Sequence, residues 1–168
     1  YTELLPGFSD EIFGRGPEGL AALTAAAGFG ALACGLLLVF RGRARGLVRI
    51  MLGGAISGSI GLALFATTGT LTSGVAVLAV ASFLMLACHV GAYSLIQNAT
   101  DGEMRGRVIS VNVSISIGGP ALGALIIGWL AEAVGLQWAV ASSALLALIV
   151  VLTLLPAVLR TAPSMEAD

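Results

Sequence analysis

Lysine is absent from this chain, and all eight basic residues are arginine. Charge as a whole is scarce: 10% of the 168 residues are charged and 58% are hydrophobic, where a soluble domain averages about 25% charged. Without lysine a GxxxxGK[ST] phosphate loop cannot be built, and so few basic residues argue against nucleic-acid recognition. The single histidine, His89, excludes a multi-histidine metal site. The two cysteines, Cys34 and Cys88, lie inside apolar runs and read as small core hydrophobes rather than a disulfide framework. No Ser/His/Asp set and no acidic cluster at helical spacing falls within an apolar run. The chain is therefore not expected to be an enzyme, and neither cofactor nor metal is expected. No basic segment leading into a short apolar core marks a cleavable signal. The first residue is Tyr1 rather than Met, as expected of a piece of something longer.

What the chain does have is long apolar runs. Five reach the roughly 20 residues needed to cross a hydrocarbon core about 30 Å thick: Leu20–Phe40, Ile50–Thr67, Val75–Ile96, Val108–Ala131 and Leu136–Leu159. None alternates as a barrel strand does, and backbone polar groups in lipid must be satisfied internally. The expected fold is an all-α, polytopic membrane protein with about five transmembrane helices. Residues 1–19 are expected to be the end of a preceding helix and an extracytoplasmic loop, 20–159 the five-helix domain, and 160–168 a cytoplasmic tail. Cytoplasmic loops retain arginine. Arg41, Arg43, Arg45, Arg49, Arg105, Arg107 and Arg160 all fall on one side of this arrangement and only Arg15 on the other. The expected orientation is N-terminus outside and C-terminus cytoplasmic, as an odd number of spans requires.

The stretch "DGEMRGRVIS", 101–110, is the one densely charged segment of the second half, and it reads as a cytoplasmic loop. Two explanations stand open: a plain topogenic loop, or an ion-pair latch in which Glu103 partners Arg105. Within the spans, Gly54 and Gly58, and again Gly119 and Gly123, have GxxxG spacing, which favours close helix packing. Pro120 removes a backbone hydrogen bond and bends a helix. His89, Tyr93 and Gln97 recur every four residues on one face of the third span, and Asn112 and Ser116 share a face of the fourth. Such stripes either line an aqueous cavity or hydrogen-bond between helices.

In order and spacing the chain resembles the C-terminal half of a major facilitator superfamily transporter, most closely the bacterial siderophore and drug exporters. "ELLPGFSDEIFGRGPEGLAAL" is similar to the end of the family's seventh helix and the outer loop after it. "GALACGLLLVFRGRARG" resembles the eighth helix entering its Arg-rich loop. "SLIQNATDGEMRGRVISVNVSISIGGPALGALIIGWLAEAVG" resembles the end of the tenth helix, the "RGRV.S" loop and the Gly-Pro-rich eleventh helix. One departure is the lack of a proline before the acidic residue of that loop.

The resemblance implies a twelve-helix bundle of which this is the C-terminal part, in the bacterial plasma (inner) membrane. Its implied activity is secondary active transport by alternating access: proton-coupled efflux of a small organic molecule, as an antiporter does. Its implied partners are that substrate, protons, the lipid bilayer and the missing N-terminal half. The implied pathway residues are His89, Tyr93, Gln97, Asn112 and Ser116. Arg41, Arg43, Arg45, Glu103, Arg105 and Arg107 would form a cytoplasmic gate. Gly54, Gly58, Gly118, Gly119, Pro120 and Gly123 would serve helix packing and hinging. The alternative is a non-transporting membrane anchor or scaffold, which would tolerate loss of the polar side chains in its spans.

Overall fold

A computed structural model describes residues 1–41, 46–100 and 102–165. Three short pieces run into one another at the start: a 3₁₀ turn at Thr2–Leu4, an α-turn at Leu5–Gly7 and a π-helical turn at Phe8–Ile12. Five long helices follow, α1 (Gly16–Arg41), α2 (Leu47–Ala66), α3 (Leu71–Asn98), α4 (Gly102–Val134) and α5 (Leu136–Met165). Each holds a stretch long and apolar enough to cross a membrane. Among the described residues there is no strand, so the chain adopts the all-α, five-span fold that its apolar runs imply.

The helices overrun those runs, because hydropathy stops where hydrocarbon stops while backbone hydrogen bonding does not. The charged stretch expected to be a loop is helical from Gly102 onward, with Glu103 in the first turn, where a carboxylate suits the positive end of the helix dipole. The tail expected from residue 160 likewise begins as helix, since α5 continues to Met165. Between α4 and α5 stands one residue, Gly135. Its φ of 89° is a left-handed conformation that glycine adopts without strain. Its N–H closes α4 on the Ala131 carbonyl at 2.8 Å.

Packing rests on glycine and on aromatic rings. A methyl added to Gly54 of α2 would lie 2.6 Å from the Leu84 carbonyl oxygen and 2.7 Å from the Cys88 nitrogen of α3. One on Gly58 would lie 2.9 Å from Met85 Cγ, and one on Gly61 3.0 Å from Ala81 Cβ. The α2–α3 backbones can approach this closely only because these positions lack side chains. On another side of α3, Gly30 of α1 meets the Ala79 carbonyl with no room for a Cβ. At one end of the bundle Phe65 of α2 stacks on Phe8 with ring centroids 4.7 Å apart, and Phe13 stands edge-on to it at 6.5 Å. Leu23, Leu78, Leu136 and Val140 complete this cluster, binding the N-terminal pieces to α1, α2, α3 and α5. Gln137 Nε2 of α5 donates to the Thr68 carbonyl at 3.3 Å.

α4 stands apart. It contributes no buried residue and leans mainly on α5. Ile115 and Ile117, about 200° apart around the helix, are 67% and 71% exposed, so at that level α4 is bare on opposite sides.

Candidate functional site

The polar side chains of α3 and α4 are exceptions on apolar helices. His89, Tyr93 and Gln97 share one face of α3 because four residues nearly complete a turn. Gly91 and Leu95, which pack α3 against α2, stand two residues from this stripe, about 200° around the helix. The stripe therefore turns away from α2. His89 is exposed, and Tyr93 and Gln97 are half-buried. On α4, Asn112 is half-buried and Ser116 is exposed, two turns and one turn before Pro120. Pro120 deprives the Ser116 carbonyl of its i+4 donor.

None of these five side chains, among the described residues, hydrogen-bonds to the protein. Their polarity is thus not explained by bonding between helices of this chain. Other α4 serines behave differently: the hydroxyls of Ser110 and Ser114 donate back to the carbonyls of Gly106 and Ser110 at 2.8 and 2.9 Å.

The described residues expected at the gate gather at one end. α1 and α3 finish there and α2 and α4 begin there. Arg41 closes α1, and Arg43 and Arg45 lie outside the described residues. Arg49 is exposed in the first turn of α2; Glu103, Arg105 and Arg107 are exposed in the first two turns of α4. The expected Glu103–Arg105 latch is not formed: among the described residues no ion pair joins Glu103 to either arginine. On a helix, residues two apart point about 200° away from each other, so this pair could meet only if the stretch were a loop. Arg105 Nη2 instead donates to the Thr100 carbonyl at 3.4 Å, back across the α3–α4 turn.

The two GxxxG pairs separate. Gly54 and Gly58 are occupied by α3, whereas Gly118, Gly119 and Gly123 of α4 have no described residue within 4 Å of an added Cβ. Two further groupings were not legible in the sequence. The Tyr1 hydroxyl meets Ser82 Oγ at 3.2 Å, partway along α3, a pairing across 81 positions that no local pattern signals. Glu3, Glu11 and Glu132 line a cavity of about 350 Å³ between the N-terminal pieces and the end of α4. Among the described residues no group of His, Cys, Asp or Glu is placed to hold a metal ion.

The family model described as Major Facilitator Superfamily matches residues 4–167 of the chain. No curated protein and no solved structure matches it.

Proposed function

The chain belongs to the major facilitator superfamily, a family of secondary transporters that carry small molecules across the lipid bilayer, and from that premise we propose that it is the C-terminal half of a twelve-helix exporter. In this reading it drives efflux of a small organic molecule by alternating access, coupled to protons, from the bacterial inner membrane. The arginine-rich end faces the cytoplasm. The observation that carries the reading is the set of five unpartnered polar side chains on α3 and α4. At apolar depth, where His89, Tyr93, Asn112 and Ser116 stand and Gln97 at the helix end does not, such groups are costly unless water, substrate or another helix meets them. The bareness of α4 supports a missing half, since a second bundle would cover it. Residues 1–12 pack against the bundle through buried Leu5 and Phe8, with Tyr1 against Ser82, which suits the end of a further helix.

The decisive residue is His89, the one imidazole on the stripe. In the complete protein, His89→Leu is expected to insert and fold normally but to lower substrate efflux by about tenfold, the loss expected for a polar contact worth about 1.4 kcal/mol. It should also flatten the dependence of efflux on the pH gradient. Wild-type efflux with unchanged pH dependence would remove the stripe from the pathway and favour an anchor or scaffold.

The gate reading assigns Arg105 a weaker part. An exposed charge contributes about 0.2–1 kcal/mol, so Arg105→Ala is expected to raise opening at the arginine-rich end by roughly two- to fivefold. A single cysteine placed at that end of a cysteine-free background, labelled by a membrane-impermeant thiol reagent, reads this directly. An unchanged labelling rate together with unchanged efflux contradicts the assignment.

A further inference from the structure

The chain's only two tryptophans lie toward the end of the bundle opposite the arginine-rich one. Trp129 stands five residues before the end of α4 and Trp138 two residues into α5, on either side of the Gly135 turn. They are 73% and 74% exposed. Each has an arginine 22 positions away on its own helix, Arg107 for Trp129 and Arg160 for Trp138. Both arginines are exposed, and among the described residues neither has an ion pair or a hydrogen-bond partner. At 1.5 Å per residue this separation is about 33 Å, close to the roughly 30 Å of a hydrocarbon core. It is also about six turns and 40° of helix, so each pair occupies one side of its helix. No formal charge falls between the members of either pair.

The sides so marked are apolar and bare. On α4, exposed Val111, Ile115, Leu122 and Ile126, with Gly118 among them, lie within about 60° of Trp129. On α5, exposed Leu145, Ile149 and Leu152 lie within about 40° of Trp138. The residues by which α5 packs, Val140, Ala144, Val151, Leu155 and Val158, stand about 100–160° from that ring. Asn112, Ser116, Gly119 and Gly123 of α4 likewise stand about 80–140° from Trp129, and Arg105 stands with them. Membrane helices meet one another through small residues, whereas large apolar side chains gain little from a protein partner that lipid tails do not also offer. These relations are internal to each helix, so they hold whatever further helices the complete transporter adds.

We propose that the α4–α5 hairpin is a phospholipid-binding surface spanning the bilayer, with Trp129 and Trp138 at the headgroups of one leaflet and Arg107 and Arg160 on the phosphates of the other. Acyl chains lie along the two stripes between them. Indole suits the first place because its body is apolar and its N–H polar. Arginine suits the second, since its stem lies along apolar surface while its guanidinium reaches out to a phosphate. The two arginines of "RGR" then part company. Arg105 shares the side of Asn112 and Ser116, whereas Arg107 faces lipid and takes no part in the gate. The glycine side of α4 is left for a second bundle to cover. The proposal rests on the chain spanning a bilayer and not on its transporting anything.

The test uses the complete protein in phosphatidylcholine vesicles, with either Trp129 or Trp138 kept as its only tryptophan. Both rings are expected to be quenched by brominated lipid, more strongly by bromine near the headgroup than by bromine at the chain end. A third variant carries Val111→Trp, one turn inside Arg107, as the only tryptophan and compares brominated phosphatidylglycerol with brominated phosphatidylcholine. The anionic lipid should bind there about fivefold more tightly, the worth of one arginine near a membrane surface. Arg107→Gln should abolish that preference and Arg105→Gln should leave it. Rings that no brominated lipid quenches are covered by protein, a second copy or another part of the transporter, and overturn the proposal. Stronger quenching from the chain end overturns it as well, since the tryptophans then mark no interface. A preference lost with Arg105→Gln and kept with Arg107→Gln sinks the division between the two arginines, and with it the lipid face of α4.

Discussion

Gly54→Leu in the complete protein is expected to destroy the native packing of this bundle, whereas Gly119→Leu is expected to leave it standing. At Gly54 the obstruction is backbone, the Leu84 carbonyl and the Cys88 amide of α3, and neither can swing aside as a side chain would. Overpacking typically costs about 1–3 kcal/mol where neighbours can yield; here the helices must separate, so the loss is about 3 kcal/mol or more. At Gly119 no described residue lies within 4 Å, so the packing among these five helices should stay within about 0.5 kcal/mol of wild type, as for other substitutions that meet no neighbour. Unfolding by titration of dodecyl sulfate into a mild detergent, followed by tryptophan fluorescence, measures both. The same pair should differ in transport. Gly54→Leu loses it with the fold; on the proposal that a further part of the transporter meets the open glycine face of α4, Gly119→Leu loses it with this bundle still packed. A Gly119→Leu protein that transports as wild type would leave that face without a packing or hinge role.

Phe65→Ala should give the next largest loss of stability. Phe65 is 1% exposed and is the ring that both Phe8 and Phe13 contact. In water, removing a buried phenylalanine costs about 3–5 kcal/mol, a sum of transfer and cavity terms. In a bilayer the transfer term largely vanishes, since lipid tails are as apolar as the core the ring leaves. The cavity term remains, and at ~24 cal/mol per Å³ a void of about 100 Å³ leaves about 2–3 kcal/mol. Phe65→Leu should recover most of it by refilling the space. A Phe65→Ala protein as stable as wild type would mean that the N-terminal pieces are not held by this cluster.

Much of the fold was legible because a bilayer imposes few solutions. Runs of about 20 apolar residues must be helices, and five of them were found where composition placed them. Their ends were less legible. By its charge and its place between two apolar runs the stretch Gly102–Arg107 reads as a loop, but charge marks the edge of hydrocarbon, not the end of a helix. That error carried a second one, the Glu103–Arg105 latch, which fails on a helix for want of a shared face.

The candidate site was legible only in part. His89, Tyr93 and Gln97 stand out because polar residues at intervals of four are rare in such sequence. Ser82, which meets the Tyr1 hydroxyl, does not stand out: serine is common in membrane helices, and its usual hydroxyl contact is a carbonyl of its own helix. Whether a given serine makes that contact is invisible in sequence.

By itself, then, the sequence determined the all-α class, the number of spans, the clustering of arginines toward one end and the resemblance to a transporter family. All of these follow from composition along one dimension, which the bilayer reads directly. Only the tertiary structure decided which glycines are in use. Gly54 and Gly58 share with Gly119 and Gly123 the same four-residue spacing, yet α3 fills the space beside the first pair and no described residue fills the space beside the second. The spacing of small residues states that a helix can come close; which helix does so depends on where the others have packed.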